Sequence, residues 1–223
     1  NEILNISLTK TAYYTDLKTY SADSTVKVMN PLSADLGVMR QSLLFGGLES
    51  IMRNANRKNC NLRFFEFGNC YHYDADKWSA DAPINAYRQE RHLGLWVSGK
   101  RVEGSWAHPN EDSSFYELKA YVENVLARIG ITSGMVVMEN STNDIFAKGL
   151  NIMTRGGKTI VEMGIVARKL QKQADIASEI YYADFNWTNA MKAIRKNKVE
   201  FTELNKYPAV SRDLALLIDN NVK

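Results

Sequence analysis

The stretch Arg63-Phe64-Phe65-Glu66-Phe67-Gly68-Asn69-Cys70-Tyr71-His72-Tyr73 decides how the chain is read. Its aromatic residues suit a pleated, half-buried strand. Gly68 inside it marks a bulge or a close approach of another group. Upstream, residues 41 to 57 read as a helix, because Leu44, Leu48, Ile51, Met52 and Ala55 share one face. Gly46-Gly47 weakens that helix by about 1 kcal/mol per glycine relative to alanine, and such a pair is a place for another element to pack closely. Downstream, residues 74 to 91 are polar and carry Pro83, which reads as a long loop of the kind that often serves function. Leu93 to Ser98 reads as the next strand, ended by Gly99.

Further out, Glu2 to Leu8 alternates apolar and polar residues, as a half-buried strand does. Asn30-Pro31 is a turn signal. Ser114-Phe115-Tyr116-Glu117 has the form of a capping box. Leu118, Tyr121, Val122, Val125, Leu126 and Ile129 line one face of the helix behind it, and Gly130 is its expected stop. Met135 to Met138, Leu150 to Thr154, Thr159 to Val166 and Ile180 to Phe185 read as strands. Arg155-Gly156-Gly157-Lys158 is a hairpin turn between two of them. Asn186 is positioned to cap a short helix carrying Trp187, Ala190, Met191 and Ile194. Adjacent hairpins with helices between them predict an α+β fold, an antiparallel sheet flanked by helices. The polar stretch up to Tyr207 and Pro208 reads as a boundary, and Leu214 to Ile218 as a buried strand opening a further module. The expected division is therefore 1–200 as one domain and 201–223 as a linker plus a truncated first strand.

The composition bounds the function. The chain has 223 residues, 45% hydrophobic and 24% charged, which supports a real core and excludes disorder as the main state. Its net charge of +3 is weaker than a dedicated nucleic-acid module carries, so RNA contact is expected to be local or shared. Two cysteines, Cys60 and Cys70, cannot build a disulfide framework and suit a reducing compartment such as the cytoplasm. No apolar run approaches the roughly 18 residues of a membrane span, so no membrane is expected. The opening Asn1-Glu2-Ile3-Leu4 has no Met and no leader pattern, which suggests a piece of a longer protein.

Motifs that carry chemistry are sparse. Gly157-Lys158-Thr159 mimics the end of a phosphate-binding loop, but position 152 is Ile and a strand follows where a helix is needed, so the hairpin reading wins. His72, His92 and His108 with the two cysteines lack zinc-ligand spacing, and no metal or cofactor site is expected. No Gly-x-Ser-x-Gly elbow is present. Glu111-Asp112 precedes a helix and complements its dipole. Arg53, Arg57, Lys58 and Arg63 cluster near a helix end, as do Arg168 to Lys172 and Lys192 to Lys198. Dipole complementation explains each, and contact with RNA phosphates or another subunit is the functional alternative.

Four segments carry a resemblance. Asn30-Pro31-Leu32-Ser33 with Met39-Arg40-Gln41-Ser42-Leu43-Leu44, then Arg63 to Gly68, then Phe115-Tyr116-Glu117-Leu118-Lys119, then Tyr207-Pro208-Ala209-Val210-Ser211-Arg212-Asp213-Leu214-Ala215, occur in this order. Together they resemble the C-terminal part of the beta-subunit family of bacterial phenylalanine–tRNA ligases, an aminoacyl-tRNA synthetase. The resemblance implies a class II synthetase-like core that is catalytic-like but inactive, followed by the opening of a ferredoxin-like anticodon-binding domain. It implies a catalytic alpha partner in an (αβ)2 heterotetramer that uses ATP and Mg2+ to charge tRNA with phenylalanine.

Working sites of that class hold the ATP α-phosphate with an arginine, whose charged fork matches phosphate oxygens. Aligning Phe65 to Tyr71 with the corresponding strand puts His72 at that arginine and Asp74 where a glutamate is usual. A late Gly-x-Gly-x-x-x-Arg element is also missing, since Met163 to Arg168 lacks the second glycine. The His-Pro of the family's His-Pro-Gly turn is absent too, because the region reads Asp144-Ile145-Phe146-Ala147-Lys148-Gly149. The resemblance thus implies a structural piece without a catalytic residue of its own. Its rivals are a live ATP-binding domain and an RNA-contacting module.

Overall fold

A computed structural model describes all residues except 199, 200, 205, 218, 220, 222 and 223. In chain order the elements are β1 (Leu8–Thr9), β2 (Val38–Met39), α1 (Leu44–Ala55), β3 (Leu62–Tyr73), β4 (Tyr87–Ser98), β5 (Lys100–Val102) and β6 (Glu111–Asp112). Then follow α2 (Phe115–Arg128), β7 (Val136–Asn140), β8 (Phe146–Thr154), β9 (Thr159–Val166), α3 (Arg168–Gln173), β10 (Ile180–Asn186) and α4 (Trp187–Ile194). Six strands form one sheet in the order β3-β4-β10-β9-β8-β7, with every neighbouring pair antiparallel. The expected α+β class and antiparallel sheet hold.

The period of two along the strands sorts side chains onto two faces. The back face is a continuous apolar layer: Leu93, Val97, Tyr181, Ala183, Phe185 and Met163 pack under Leu118, Val122 and Leu126 of α2 and Ala190 of α4. The front face is covered by the first 57 residues. Leu44, Leu48 and Ile51 of α1 pack there against Leu62, Phe64, Trp96, Ile180 and Tyr182. The glycine pair in α1 explains itself here. A Cβ on Gly47 would sit 2.1 Å from the Trp96 ring. Gly68 is likewise a close approach, with Arg40 Nη2 2.2 Å from where its Cβ would lie.

Helix ends follow one motif. Gly130 stops α2 with φ +83, Gly130 N donating to Ala127 O at 3.1 Å and Ile131 N to Leu126 O at 2.9 Å. This is the left-handed closure that glycine favours. Lys58 closes α1 in the same way with φ +63, its N donating to Ala55 O and Asn59 N to Asn54 O.

Several expectations are corrected. Glu2–Leu8 is not one strand: residues 1–3 run beside β3, and only Leu8–Thr9 pairs, with β2. Leu4 and Ile6 are 86% and 63% exposed, so the face that turns inward is Ile3, Asn5 and Ser7 instead. The loop expected over 74–91 ends at Ala86, because residues 87–91 extend β4 and pair with 69–73 of β3. Pairing along a long neighbour overrides the polar composition of that stretch. Glu111-Asp112 precedes α2 as expected, and in addition forms the short strand β6. The capping box is half formed. Ser114 Oγ accepts from Glu117 N at 3.4 Å, but the Glu117 carboxylate turns to Arg63. In the run expected as a buried strand, Leu214, Leu216 and Leu217 are exposed and outside any strand, and Ile218 lies outside the described residues.

Candidate functional site

The position to which the resemblance points is the front face where β3, β4, β10 and β9 meet. Sheet register puts Glu66, Cys70 and His72 of β3 on the same side as Arg88, Glu90 and His92 of β4, Asp184 of β10 and Glu162 of β9. The deepest charged groups on this face, Arg40, Glu66, His92 and Asp184, are buried and paired. Arg40 Nη1 donates to Glu66 Oε1 at 2.7 Å, and its Nε to Asn69 O at 3.0 Å. Asn5 Nδ2 donates to the other Glu66 oxygen at 2.7 Å. Such a pair keeps two ions out of water only because nearly every polar atom has a partner.

His92 lies beside two carboxylates. Its Nδ1 is 2.8 Å from Asp184 Oδ1, and its Nε2 is 3.8 Å from Glu90 Oε2, within ion-pair reach but beyond a hydrogen bond. Burial works against the imidazolium, but the adjacent Asp184 and Glu90 charges outweigh it and hold the His92 pKa up at about 10. His92 beside it drops Glu90 to about 2, with Arg88 adding to the effect. Burial pushes Glu162 up, although Asn143 Nδ2 donates to its Oε2 at 2.8 Å. Burial also pushes Cys70 and Tyr182 well above their ordinary values.

The residues singled out in sequence fall as follows. His72 lies at the end of β3 opposite Arg88. Burial, helped by the Arg88 charge, lowers its pKa to about 4, so it is neutral at physiological pH. Asp74 follows β3 and bonds Lys77 Nζ, which holds its carboxyl below the ordinary value. Both line a groove of about 470 Å³ with Asp23, Asp76, Lys77 and Arg88. The groove thus carries three carboxylates against two cations, and both cations are already paired, Lys77 with Asp74 and Arg88 with Glu90. A polyphosphate would meet no free positive charge there among the described residues.

The four cations expected as contacts do not act together. Arg63 is a structural staple: Nε reaches Glu117 at 3.0 Å and Nη2 reaches Ser113 Oγ at 2.8 Å. Arg53 pairs with Glu49 at 3.4 Å. Arg57 and Lys58 are exposed at the end of α1. Gly157-Lys158-Thr159 is the β8–β9 hairpin, with Gly157 at φ +78. Cys60 is exposed and Cys70 buried, both free, and no metal-binding cluster occurs among the described residues. No helix among them is long and apolar enough to cross a membrane.

Sequence reading by spacing missed the buried group Arg40, Glu66, His92, Asp184 and Glu162. One signal for it was present: Glu66 stands on the same strand face as Leu62, Phe64 and Cys70, an apolar row that a carboxylate joins only with a partner.

A family model described as "Phenylalanyl tRNA synthetase beta chain CLM domain" matches residues 1–187. The chain belongs to that family. The phenylalanine–tRNA ligase beta subunit of Bacteroides thetaiotaomicron is 58% identical over 223 residues, all of this chain and 27% of its own length. The beta subunit of Porphyromonas gingivalis is 44% identical over 222 residues, again 27% of its length. This member of the phenylalanyl-tRNA synthetase beta chain family therefore spans about a quarter of the curated relatives it matches. Among solved structures, pyrrolysyl-tRNA synthetase from Desulfitobacterium hafniense superposes with a TM-score of 0.62 at 12% identity, covering 87% of this chain and 63% of that one. That likeness shows the fold, a synthetase-like sheet as the resemblance implied.

Proposed function

We propose that this segment of a phenylalanine–tRNA ligase beta chain is a class II-type synthetase core that no longer performs chemistry. In this reading the holoenzyme, an (αβ)2 heterotetramer in the cytoplasm, charges tRNA with phenylalanine using ATP and Mg2+ at its alpha chains. Residues 1–200 pack on the alpha chain as structure. Residues 201–223 link to an anticodon-binding module and supply its first strand. The observation that supports the reading is the neutral His72 in an acid-lined groove; the resemblance aligns His72 with the always-charged arginine of a live site. Charge stabilisation of phosphates is the main contribution of such a site, and here the free charge is of the wrong sign. Arg57 and Lys58, exposed at the end of α1, are the remaining candidates of the original four for contact with a subunit or RNA.

Calorimetric titration of the purified, folded chain with ATP–Mg2+ tests the proposal. No saturable heat is expected. One saturable site per chain overturns it and favours a live nucleotide site.

A further inference from the structure

We propose that the end of the domain formed by α4, the C-terminus of α2 and the β8–β9 hairpin binds the phosphate backbone of tRNA. Two hydrogen bonds bring these elements together. Asn189 Nδ2 donates to Thr159 O at 3.0 Å, and Asn197 Nδ2 donates to Gly130 O at 3.0 Å. The chain leaving α2 opens β7 at Val136, directly opposite Thr154 beside the same hairpin. Arg128, Arg155, Lys158, Lys192, Arg195 and Lys196 are all exposed here.

The charge at this end is segregated. Residues 124–138, 145–161 and 185–198 contain no Asp or Glu. None of the six cations has an ion pair among the described residues, whereas Arg101–Glu111, Lys119–Glu123 and Lys169–Asp16 pair elsewhere on the surface. Exposed cations such as Lys18, Lys27, Arg57 and Lys58 also have no ion pair among the described residues, so what sets this end apart is its lack of acids. The whole chain carries +3, so without these six it carries −3. Helix termini account for only part of this. Two helix C-termini offer roughly −0.5 charge each, about −1 in all, against six unit charges. Like charges gathered without acids repel one another, and a polyanion relieves that repulsion.

The chemistry favours a phosphate backbone over bases or lipid. The aromatic ring on these elements, Trp187, is packed edge-on against Phe67 at 5.0 Å, so it is not available for stacking or for membrane insertion. What remains is point charge with backbone and amide donors, which positions a nucleic acid without reading its sequence. The choice of tRNA among polyanions rests on the reading of the chain as part of a tRNA ligase.

The test uses the full-length protein that carries this segment and an unmodified tRNA transcript, with binding measured between 50 and 200 mM salt. The variant Lys192→Glu/Arg195→Glu/Lys196→Glu is compared with Lys18→Glu/Lys27→Glu/Lys172→Glu, exposed cations outside this end. Each phosphate neutralised contributes about 0.9 to the slope of log K against log salt. The first variant is expected to flatten that slope by about 2 to 3 and to weaken binding about tenfold or more at 100 mM salt. The second is expected to leave the slope alone. Equal slopes in the wild type and the first variant, or the same flattening in both variants, overturn the proposal. Competition by poly-L-glutamate as effective as that by tRNA also overturns it, in favour of an acidic protein. Such failures leave the scaffold reading standing, because the ATP titration tests that separately.

Discussion

The two faces of the sheet solve the same packing problem with different chemistry. The back face is hydrocarbon and aromatic apart from the Arg63–Glu117 pair that joins β3 to α2, and it is closed by α2 and α4. The front face holds an apolar half beneath α1 and a charged half where Arg40–Glu66 and His92–Asp184 are buried as pairs. On the back, side chains of suitable size suffice, and volume-conserving exchanges are tolerated. On the front, each charge depends on one particular partner, because an unpaired buried ion is strongly destabilising. On the charged half of the front face the buried residues bond one another, Arg40 with Glu66 and His92 with Asp184.

The sharpest way to break this comparison is to remove one member of the deepest pair. Arg40→Leu leaves Glu66 buried with only Asn5 to bond it, and is expected to cost about 3–5 kcal/mol in denaturant unfolding. Replacing both, as Arg40→Met with Glu66→Leu, is expected to recover most of that loss. If the double variant is no better than the single one, the front face does not depend on pairing.

A smaller effect separates the faces by pH, since the buried histidines lie on the front. His92 is held up at about 10 in the folded chain against 6.5 when free. Its contribution to stability is therefore fully present below about 6.5 and is lost as pH rises through 10. His72 is held down at about 4, so it opposes folding as pH falls from about 6.5 toward 4. Urea midpoints measured from pH 4 to 10 are expected to decline at both ends. His92→Asn should lower the plateau and flatten the alkaline decline, while His72→Asn should flatten only the acid one. An unchanged alkaline limb in His92→Asn removes the assignment.

The smallest effect compares the two helices that serve the faces. Gly130 ends α2 without strain, whereas Lys58 ends α1 in the same left-handed geometry with a side chain attached. Lys58→Gly is expected to stabilise the chain by up to about 1 kcal/mol. A melting temperature that falls instead means that the Lys58 side chain has a role of its own.

Much of the back face was legible in the sequence. The face of α2, its Gly130 stop, the Gly156-Gly157 hairpin and the Asn186 cap all follow local rules, and all stand, Asn186 Oδ1 accepting from Asn189 N at 2.9 Å. The front face was legible only at its α1 helix and at the Gly47 contact. Its charged half is assembled from residues far apart in the chain, Arg40 with Glu66 and His92 with Asp184, and no local period links them. The start of β4 was missed for the same reason, since residues 87–91 are strand only because β3 lies alongside. His72 and Asp74 were located through the resemblance, and the neutrality of His72 needed the burial and the Arg88 charge that the sequence does not display.

The segment over the front face is fastened by contacts of very long sequence separation. Lys18 N donates to Asp144 Oδ2 at 2.6 Å, and Lys169 Nζ reaches Asp16 Oδ2 at 2.7 Å. The hairpins β3–β4 and β8–β9, by contrast, join neighbours in the chain. Closing loops of more than a hundred residues is slow compared with zipping a hairpin. The β4–β10 pairing at the centre of the sheet, residues 92–98 with 180–186, is also far from local, so the two hairpins are the parts that can zip early, while the sheet centre and the cover both wait on long-range closure. On the β3–β4 hairpin alone, Glu66 and His92 share a face that the cover has yet to reach, and charged side chains on such a face oppose pairing with another chain.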